Sequence, residues 1–373
     1  MKKIGIDARL YSQTGVGVYL QNLIYWLQKI APPNLVFNIY LMEKDFNKVN
    51  FNNKNFIKVK ADYHWHGFQE QVNYLNKLQA DQLDLMHFTY FSYPTFYKKN
   101  FIATIHDLTP LLFKTGRASS KNQVLYDLKH LFFKIVLSSQ IKNSSTIITP
   151  TQVVKNQIVK KYGEKYRIKV HPIYEGVNRN LLSCSLKENE IPRLQNSSLE
   201  MTDIKDFFIY VGNFYPHKNL ENLIKAFSQI SSNYKLILLG PDDYFSKKIV
   251  RYIDILDCRK KIILFKNPTL SDLVFFYKNA KALIHPSLSE GFGLPLVEAI
   301  QFNLPIIASN IPVFKEILDG KYLAFNPESV QDIRRKIEYA IENNLKTDYV
   351  DLLKKYSFEK MAEQTLKVYL KNL

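Results

Sequence analysis

The chain has 373 residues, 46% of them apolar and 23% charged, which is the balance of a folded globular protein with room for two domains and excludes a disordered chain. Residues 1–180 carry 25 Lys and Arg against 11 Asp and Glu, and residues 181–373 carry 26 against 23, so the net charge of +17 sits in the first half, where it serves solubility or attracts anionic partners such as acidic lipid. No apolar run reaches the ~18–20 residues of a bilayer span, and Cys184 and Cys258 fit neither a disulfide framework nor a metal motif, so the cytoplasm is the expected compartment.

The opening Lys2-Lys3-Ile4-Gly5-Ile6-Asp7 meets a charge at Asp7 and reads as a first strand, not a signal peptide. YSQTGVGVY (11–19) then forms a glycine-rich loop that is neither G-x-G-x-x-G nor a Walker A sequence. A tight turn explains it, and Gly15 and Gly17 would let a ligand approach the backbone. Leu20, Leu23, Ile24, Leu27 and Ile30 recur at helical spacing until Pro32-Pro33 stop the helix. His64 and His66 have no third residue spaced to complete a metal site. The strands DLMHFTY, FIATIHD, STIITP and IKVHPI follow. His106 ends the second of these, where α/β enzymes place chemistry, although a lone histidine is more often structural. LYDLKHLFFKIVL (125–137) joins large apolar residues to Lys129 and Lys134, and we read it as a core helix in preference to a membrane-surface one.

SCSLKENEIPRLQNSSLEMTDIKD (183–206) is polar and aperiodic, a linker. The alternation restarts with FFIYVGN, a helix from about Asn219 to Ile230, KLILLG, KIILF, a helix over 270–280, KALIHPS, a short helix from Pro295, and PIIAS. Strands alternating with helices in both halves predict two doubly wound α/β domains with parallel sheets, and a ligand cleft between them. In VGNFYPHKNLENLIKAF (211–227) Asn219 is the expected cap, with Lys218 at the helix mouth, either as a diphosphate clamp or as a solvated surface lysine. In HPSLSEGFGLPLVEAI (285–300) Gly291 and Gly293 fold the backbone tightly before Pro295 opens a helix, leaving amides for an anion. Glu298 is expected in the first helical turn and Glu290 in the loop before it. Two acceptor-only groups suit the hydroxyls of a sugar; equally, Glu298 complements the helix dipole and Glu290 is solvated surface. There is no Asp-x-Asp, the motif by which a nucleotide-sugar enzyme would hold its diphosphate through a metal. The last stretch, YSFEKMAEQTLKVYLKNL, places Phe358, Met361, Thr365, Leu366 and Tyr369 on one helical face.

Taken in order, IDARLYSQTGVGVYLQNLI, TIHDLTPL, IYVGNFYPHKNLENLIKAF, HPSLSEGFGLPLVEAI, PIIASNIPVFKEI and YSFEKMAEQTLKVY resemble successive signatures of the GT4 family of retaining glycosyltransferases, over nearly the whole chain. The likeness is most specific from Glu290 to Glu298, which reproduces the family's E-x7-E pattern. It implies a GT-B fold: an acceptor-binding Rossmann-like domain over 1–182, the linker 183–206, a nucleotide-sugar-binding Rossmann-like domain over 207–354, and a terminal helix, 355–373, packing on the first domain. It also implies that no metal or other cofactor is needed, the donor being a substrate. By the same resemblance Glu298 would hold the nucleotide ribose. Glu290 would sit near the donor sugar, with the backbone of Gly291, Phe292, Gly293 and Leu294 around it. Lys218 would pair with the diphosphate, Gly15 and Gly17 would let the first domain's loop close over it, and His106 would contact the transferred sugar. The catalytic set is then His106, Glu290 and Lys218. Many members carry Arg-Lys where this chain has His217-Lys218, which removes a fixed charge from the clamp, since an ordinary histidine is mostly neutral at pH 7.

The expected function is transfer of a hexose from GDP-mannose, as first choice, to a glycan or polyprenyl-diphosphate-linked acceptor in the synthesis of cell-surface polysaccharide. The basic first domain would touch acidic membrane at the inner face of the cytoplasmic membrane. A UDP-sugar donor with a different acceptor is the alternative. A DNA-modifying glycosyltransferase and a catalytically silent sugar-nucleotide binder are the other classes weighed. The positive charge is mostly lysine without an arginine cluster or recognition-helix pattern, so no nucleic-acid partner is expected.

Overall fold

The computed structural model describes residues 1–65, 67–113, 123–185 and 206–373, with only the helical trace for 123–126. His66 and most of the expected linker lie outside the described residues. The chain divides into two compact units, Met1–Gly176 with Ser357–Leu373, and Val177–Tyr356.

The first unit runs β1 (Lys2–Asp7), α1 (Gly15–Ile30), β2 (Leu35–Leu41), α2 (Glu43–Phe46), β3 (Phe56–Lys60), α3 (Leu75–Ala80), β4 (Leu85–Phe88), β5 (Phe101–Thr104), α4 (Thr109–Leu112), α5 (Gln123–Asn143), β6 (Thr146–Thr149), α6 (Gln152–Tyr162) and β7 (Val170–Pro172). Its seven strands are parallel, in the order β3-β2-β1-β4-β5-β6-β7. β4, β5 and β6 are buried at every position, as befits strands covered by helices on both faces. The chain's last helix also belongs here: it spans Phe358–Asn372, packs on α1 and buries Tyr369 completely. The Tyr369 hydroxyl lies 2.7 Å from His87 Nδ1, and burial lowers the His87 pKa to about 3, so the neutral ring on β4 can share a hydrogen bond with the helix.

The second unit runs α7 (Arg179–Ser185), β8 (Phe207–Val211), α8 (Leu220–Ser228), β9 (Lys235–Gly240), α9 (Tyr244–Ile255), β10 (Ile262–Lys266), α10 (Leu270–Asn279), β11 (Leu283–His285), α11 (Leu294–Gln301), β12 (Ile306–Ser309), α12 (Pro312–Leu318), β13 (Leu323–Phe325), α13 (Val330–Glu342) and α14 (Val350–Lys355); α15 is the Phe358–Asn372 helix already described. Six parallel strands are ordered β10-β9-β8-β11-β12-β13. Both sheets reverse direction beside their first strand, next to β4 in one and β11 in the other. Loops leaving the carboxyl ends of strands at such a point diverge and open a crevice for ligands.

Three local expectations are corrected. The linker was expected from 183, yet α7 carries helix through Ser185, and the Ser185 carbonyl accepts from Lys278 Nζ on α10 at 3.1 Å. A single buried residue, Leu181, anchors it, which leaves no period to read. Gly15 and Gly17 lie in the first turn of α1, not in a loop. A Cβ at Gly17 would stand 2.6 Å from the Tyr11 carbonyl oxygen, so that glycine serves close packing of the preceding loop on the helix. Finally, α5 is a core helix on one side only: Phe133, Val136, Leu137 and Ile141 are buried, whereas Leu128, Leu131 and Ile135 are exposed.

Candidate functional site

In the second unit the loops after β8 and β11 are laced together. The β8 loop closes in one turn of 3-10 helix, Pro216–Lys218, and Asn219 follows at φ 58°. That left-handed backbone is one that asparagine tolerates better than most residues. Asn219 was expected to cap α8 through its side chain. Instead its Nδ2 donates to the Pro286 carbonyl (3.1 Å) and the Pro327 carbonyl (2.7 Å). The Leu288 N–H donates to the His217 carbonyl at 2.8 Å. Asn219 thus acts as a strap that presents Lys218 to the β11 loop.

That loop brings up Glu290. Its Oε1 accepts from Lys218 Nζ at 2.5 Å, Ser287 Oγ at 2.7 Å and His285 Nε2 at 3.1 Å. Oε2 takes part in none of these three bonds. The Lys218 and Glu290 side chains are 15% and 11% exposed, so Glu290 is not solvated surface. Burial pushes its carboxyl up, but the Lys218 ammonium and the hydrogen bonds from His285 and Lys218 outweigh burial and hold it well below the usual carboxylate range. His285 closes β11 between the Tyr210 ring, stacked at 5.6 Å, and Phe314 at 5.3 Å. Burial lowers its pKa more than Glu290 raises it, so Nε2–H donates from a neutral ring. His217 is likewise neutral near pH 7, its pKa lowered to about 4 by burial and then by Lys218. Lys218 is therefore the one fixed positive charge of the 217–218 pair.

Beyond Glu290, Phe292 is buried edge-on against Tyr356, and Gly293 takes φ 95° as the residue before α11. A Cβ there would meet Leu296 Cδ1 at 3.1 Å and Phe314 Cε1 at 3.2 Å, in a backbone region that side chains avoid, so only glycine sets this entry. Leu294 and Pro295 open the helix. Glu298 was expected in its first turn, but α11 starts at Leu294 and has no acidic residue there. Glu298 stands one turn later, buried, and its Oε2 accepts from Tyr277 Oη at 2.8 Å. Burial raises its pKa to about 7, with the tyrosine bond pulling weakly the other way. A carboxyl so placed is not a complement to the helix dipole.

The remaining predicted residues lie in the first unit. His106 follows β5, buried against the edge of Tyr19. Its Nε2 donates to the Thr89 carbonyl at 3.0 Å, and Nδ1 lies 3.3 Å from Glu175 Oε1. The Thr89 hydroxyl in turn donates to the Asp7 carbonyl at the end of β1, tying His106 to that unit's strand-order reversal. The structure adds residues that pattern reasoning passed over: His285, Ser287, Tyr277, Glu175 and Arg9. Arg9 is buried, bonded to both Asp7 oxygens (2.7 and 2.9 Å), to Glu70 (2.7 Å) and to the Tyr63 carbonyl (2.8 Å), with Tyr74 under its guanidinium. A histidine closing a buried strand one proline before the loop was the only sequence signal for His285. Among the described residues no cluster of three or more His, Cys, Asp or Glu could hold a metal, and no helix is long and apolar enough to cross a membrane.

Residues 195–358 match the family of glycosyl transferases group 1. An O-antigen chain mannosyltransferase of Salmonella typhimurium is 28% identical over 231 residues, 62% of this chain and 58% of the relative; the chain thus spans a little over half the length of that relative. Over the whole chain the fold is similar to sucrose-phosphate synthase from Thermosynechococcus elongatus, with a TM-score of 0.76 at 15% identity and 99% of that chain covered. It is also similar to Anabaena HepE in complex with UDP and glucose, with a TM-score of 0.72 at 15% identity and full coverage of both chains. With residues 195–358 matching group 1, two parallel-sheet Rossmann-like units and a glutamate pair on the loop and helix after β11, the chain is similar to the GT4-type glycosyltransferases of GT-B fold.

Proposed function

We propose that the protein transfers a hexose, with mannose from GDP-mannose as first choice, to a glycan or polyprenyl-diphosphate-linked oligosaccharide, with retention at the anomeric carbon and no metal. The observation that carries this reading is the Glu290 carboxylate held by Lys218, His285 and Ser287 at the carboxyl ends of β8 and β11. The acceptor oxygen attacks the anomeric carbon, the bond to the diphosphate breaks, and the departing diphosphate takes the acceptor's proton. Lys218 stabilises the charge that develops on the leaving group. It does so as a shared cation, because its ammonium is already paired with Glu290. Oε2 of Glu290 is left for a sugar hydroxyl, and Glu298 serves the ribose. Neither glutamate is a nucleophile here. In this reading the acceptor is held at an acidic membrane, at the inner face of the cytoplasmic membrane, by the basic first unit.

The mannosyltransferase relative supports mannose, and the likeness to a structure holding UDP and glucose favours a UDP-hexose as the second donor. Thermal-shift screening of GDP- and UDP-sugars decides between them: a donor at a hundredfold its Kd adds about 2.7 kcal/mol of stability. If neither class shifts the melt, the donor reading is wrong.

A further inference from the structure

The structure assigns the exposed side of α5 as the surface by which this protein docks on a bilayer containing anionic phospholipid. The inference rests on the acidic-membrane reading above and names the face that makes the contact. A helix apolar all round is ordinarily buried all round or set against lipid. One side of α5 fills the core through Phe133, Val136, Leu137 and Ile141, each at most 8% exposed. The opposite side presents Leu128, Leu131 and Ile135, exposed by 59, 55 and 55%. Steps of three and four residues put these on a single stripe, and Lys142 continues it two turns beyond Ile135.

Charge decides the occupant. Exposed Lys134, three residues beyond Leu131, flanks the stripe and exposed Lys142 ends it, with exposed Lys129 further round the helix; Asp127, four residues before Leu131, is the one acidic residue of the helix. The lysines sit in the half of the chain that carries 25 basic against 11 acidic side chains. Aliphatic residues on one edge with lysines beside them let the chains enter the acyl boundary while the ammonium groups meet phosphate. A protein partner for so basic a face would need its own acidic apolar groove, whereas an acidic bilayer offers both features over any area.

The test uses the full chain in flotation with vesicles of phosphatidylcholine alone or mixed with phosphatidylglycerol. The expected result is binding to acidic vesicles only, weakened about tenfold or more by Leu131→Ser with Ile135→Ser. Melting temperature and nucleotide affinity should stay unchanged, since both positions are exposed. As a second readout, Leu131→Cys in a Cys184→Ser background carries an environment-sensitive dye, Cys258 being buried, and its emission should shift to the blue on acidic vesicles. If the double variant floats like the parent and the dye does not respond, this face is wrong while the membrane reading stands. If the parent ignores acidic vesicles, face and membrane reading fall together, and calorimetry with nucleotide judges the donor site separately. A concentration-dependent dimer that the double variant abolishes would replace the bilayer with a second copy of the chain.

Discussion

Replacing Glu290 with Gln removes the charge of the Lys218–Glu290 pair while keeping an Oε1 acceptor for His285 and Ser287. Losing one partner of a buried pair costs about 3–5 kcal/mol when a charge is left stranded. Here Lys218 retains an amide acceptor and 15% exposure, so the cost is expected at about 1–3 kcal/mol, several degrees in the melt. The pH dependence follows from the depressed Glu290 carboxyl. A group whose pKa is lowered by folding contributes stability above its unfolded value, about 4.5, and loses it as pH falls. The difference between parent and variant should therefore be full at pH 7 and shrink below about pH 4.5. Binding and turnover should part company. Lys218, freed of its carboxylate rival, should hold a nucleoside diphosphate as well as before or better, while sugar transfer falls by about a hundredfold, the scale of losing one charged contact in a transition state. The assay is calorimetry with GDP and UDP beside nucleoside diphosphate release from the sugar donor. A Glu290→Gln enzyme that transfers at the parent rate, or whose diphosphate affinity collapses together with its rate, would refute this division of labour.

Four further outcomes are expected. Glu298, raised to about 7, is largely protonated in the free protein at pH 6, and a ribose diol is best held by the ionised form. Donor binding should release a proton at pH 6 and almost none at pH 8.5, read by calorimetry in buffers of different ionisation enthalpy; proton uptake would contradict the ribose assignment. The same raised pKa makes Glu298 increasingly unfavourable as pH rises from about 4.5 to about 7. Glu298→Gln should therefore gain up to about 3 kcal/mol on the parent across that range. Gly293→Ala forces a side chain into φ 95° and against Leu296 and Phe314; a loss of about 1–2 kcal/mol with weakened nucleotide binding is expected, and an unchanged melt would show that the α11 entry shifts freely. Arg9→Met strands Asp7 and Glu70 in the interior, and denaturant unfolding should show a loss of about 3–5 kcal/mol.

Much of this architecture was legible because strands buried on both faces read as continuous apolar runs, and because E-x7-E is tied to a loop-to-helix transition. Where the reading slipped, tertiary contact decided. Glu298 falls just past the first turn because α11 begins at Leu294, one residue before the expected Pro295, and its setting beside Tyr277 comes from α10, distant in sequence. Asn219 looks like a cap in any local window, yet its amide is drawn away by the carbonyls of Pro286 and Pro327. His285 and Ser287 are ordinary residues until Glu290 folds back on them. α5 deceived for a different reason. Apolar residues on all sides imply burial only if something is there to cover each side, and periodicity does not count neighbours.

Calorimetric titration of GDP-mannose and UDP-hexoses into the parent and into Lys218→Ala tests the donor site most directly. The expected result is saturable binding of one donor class to the parent, weakened at least about tenfold in the variant, as for a charge-assisted diphosphate contact. Equal affinity in both proteins, or no binding of either nucleotide class to the parent, would contradict the account.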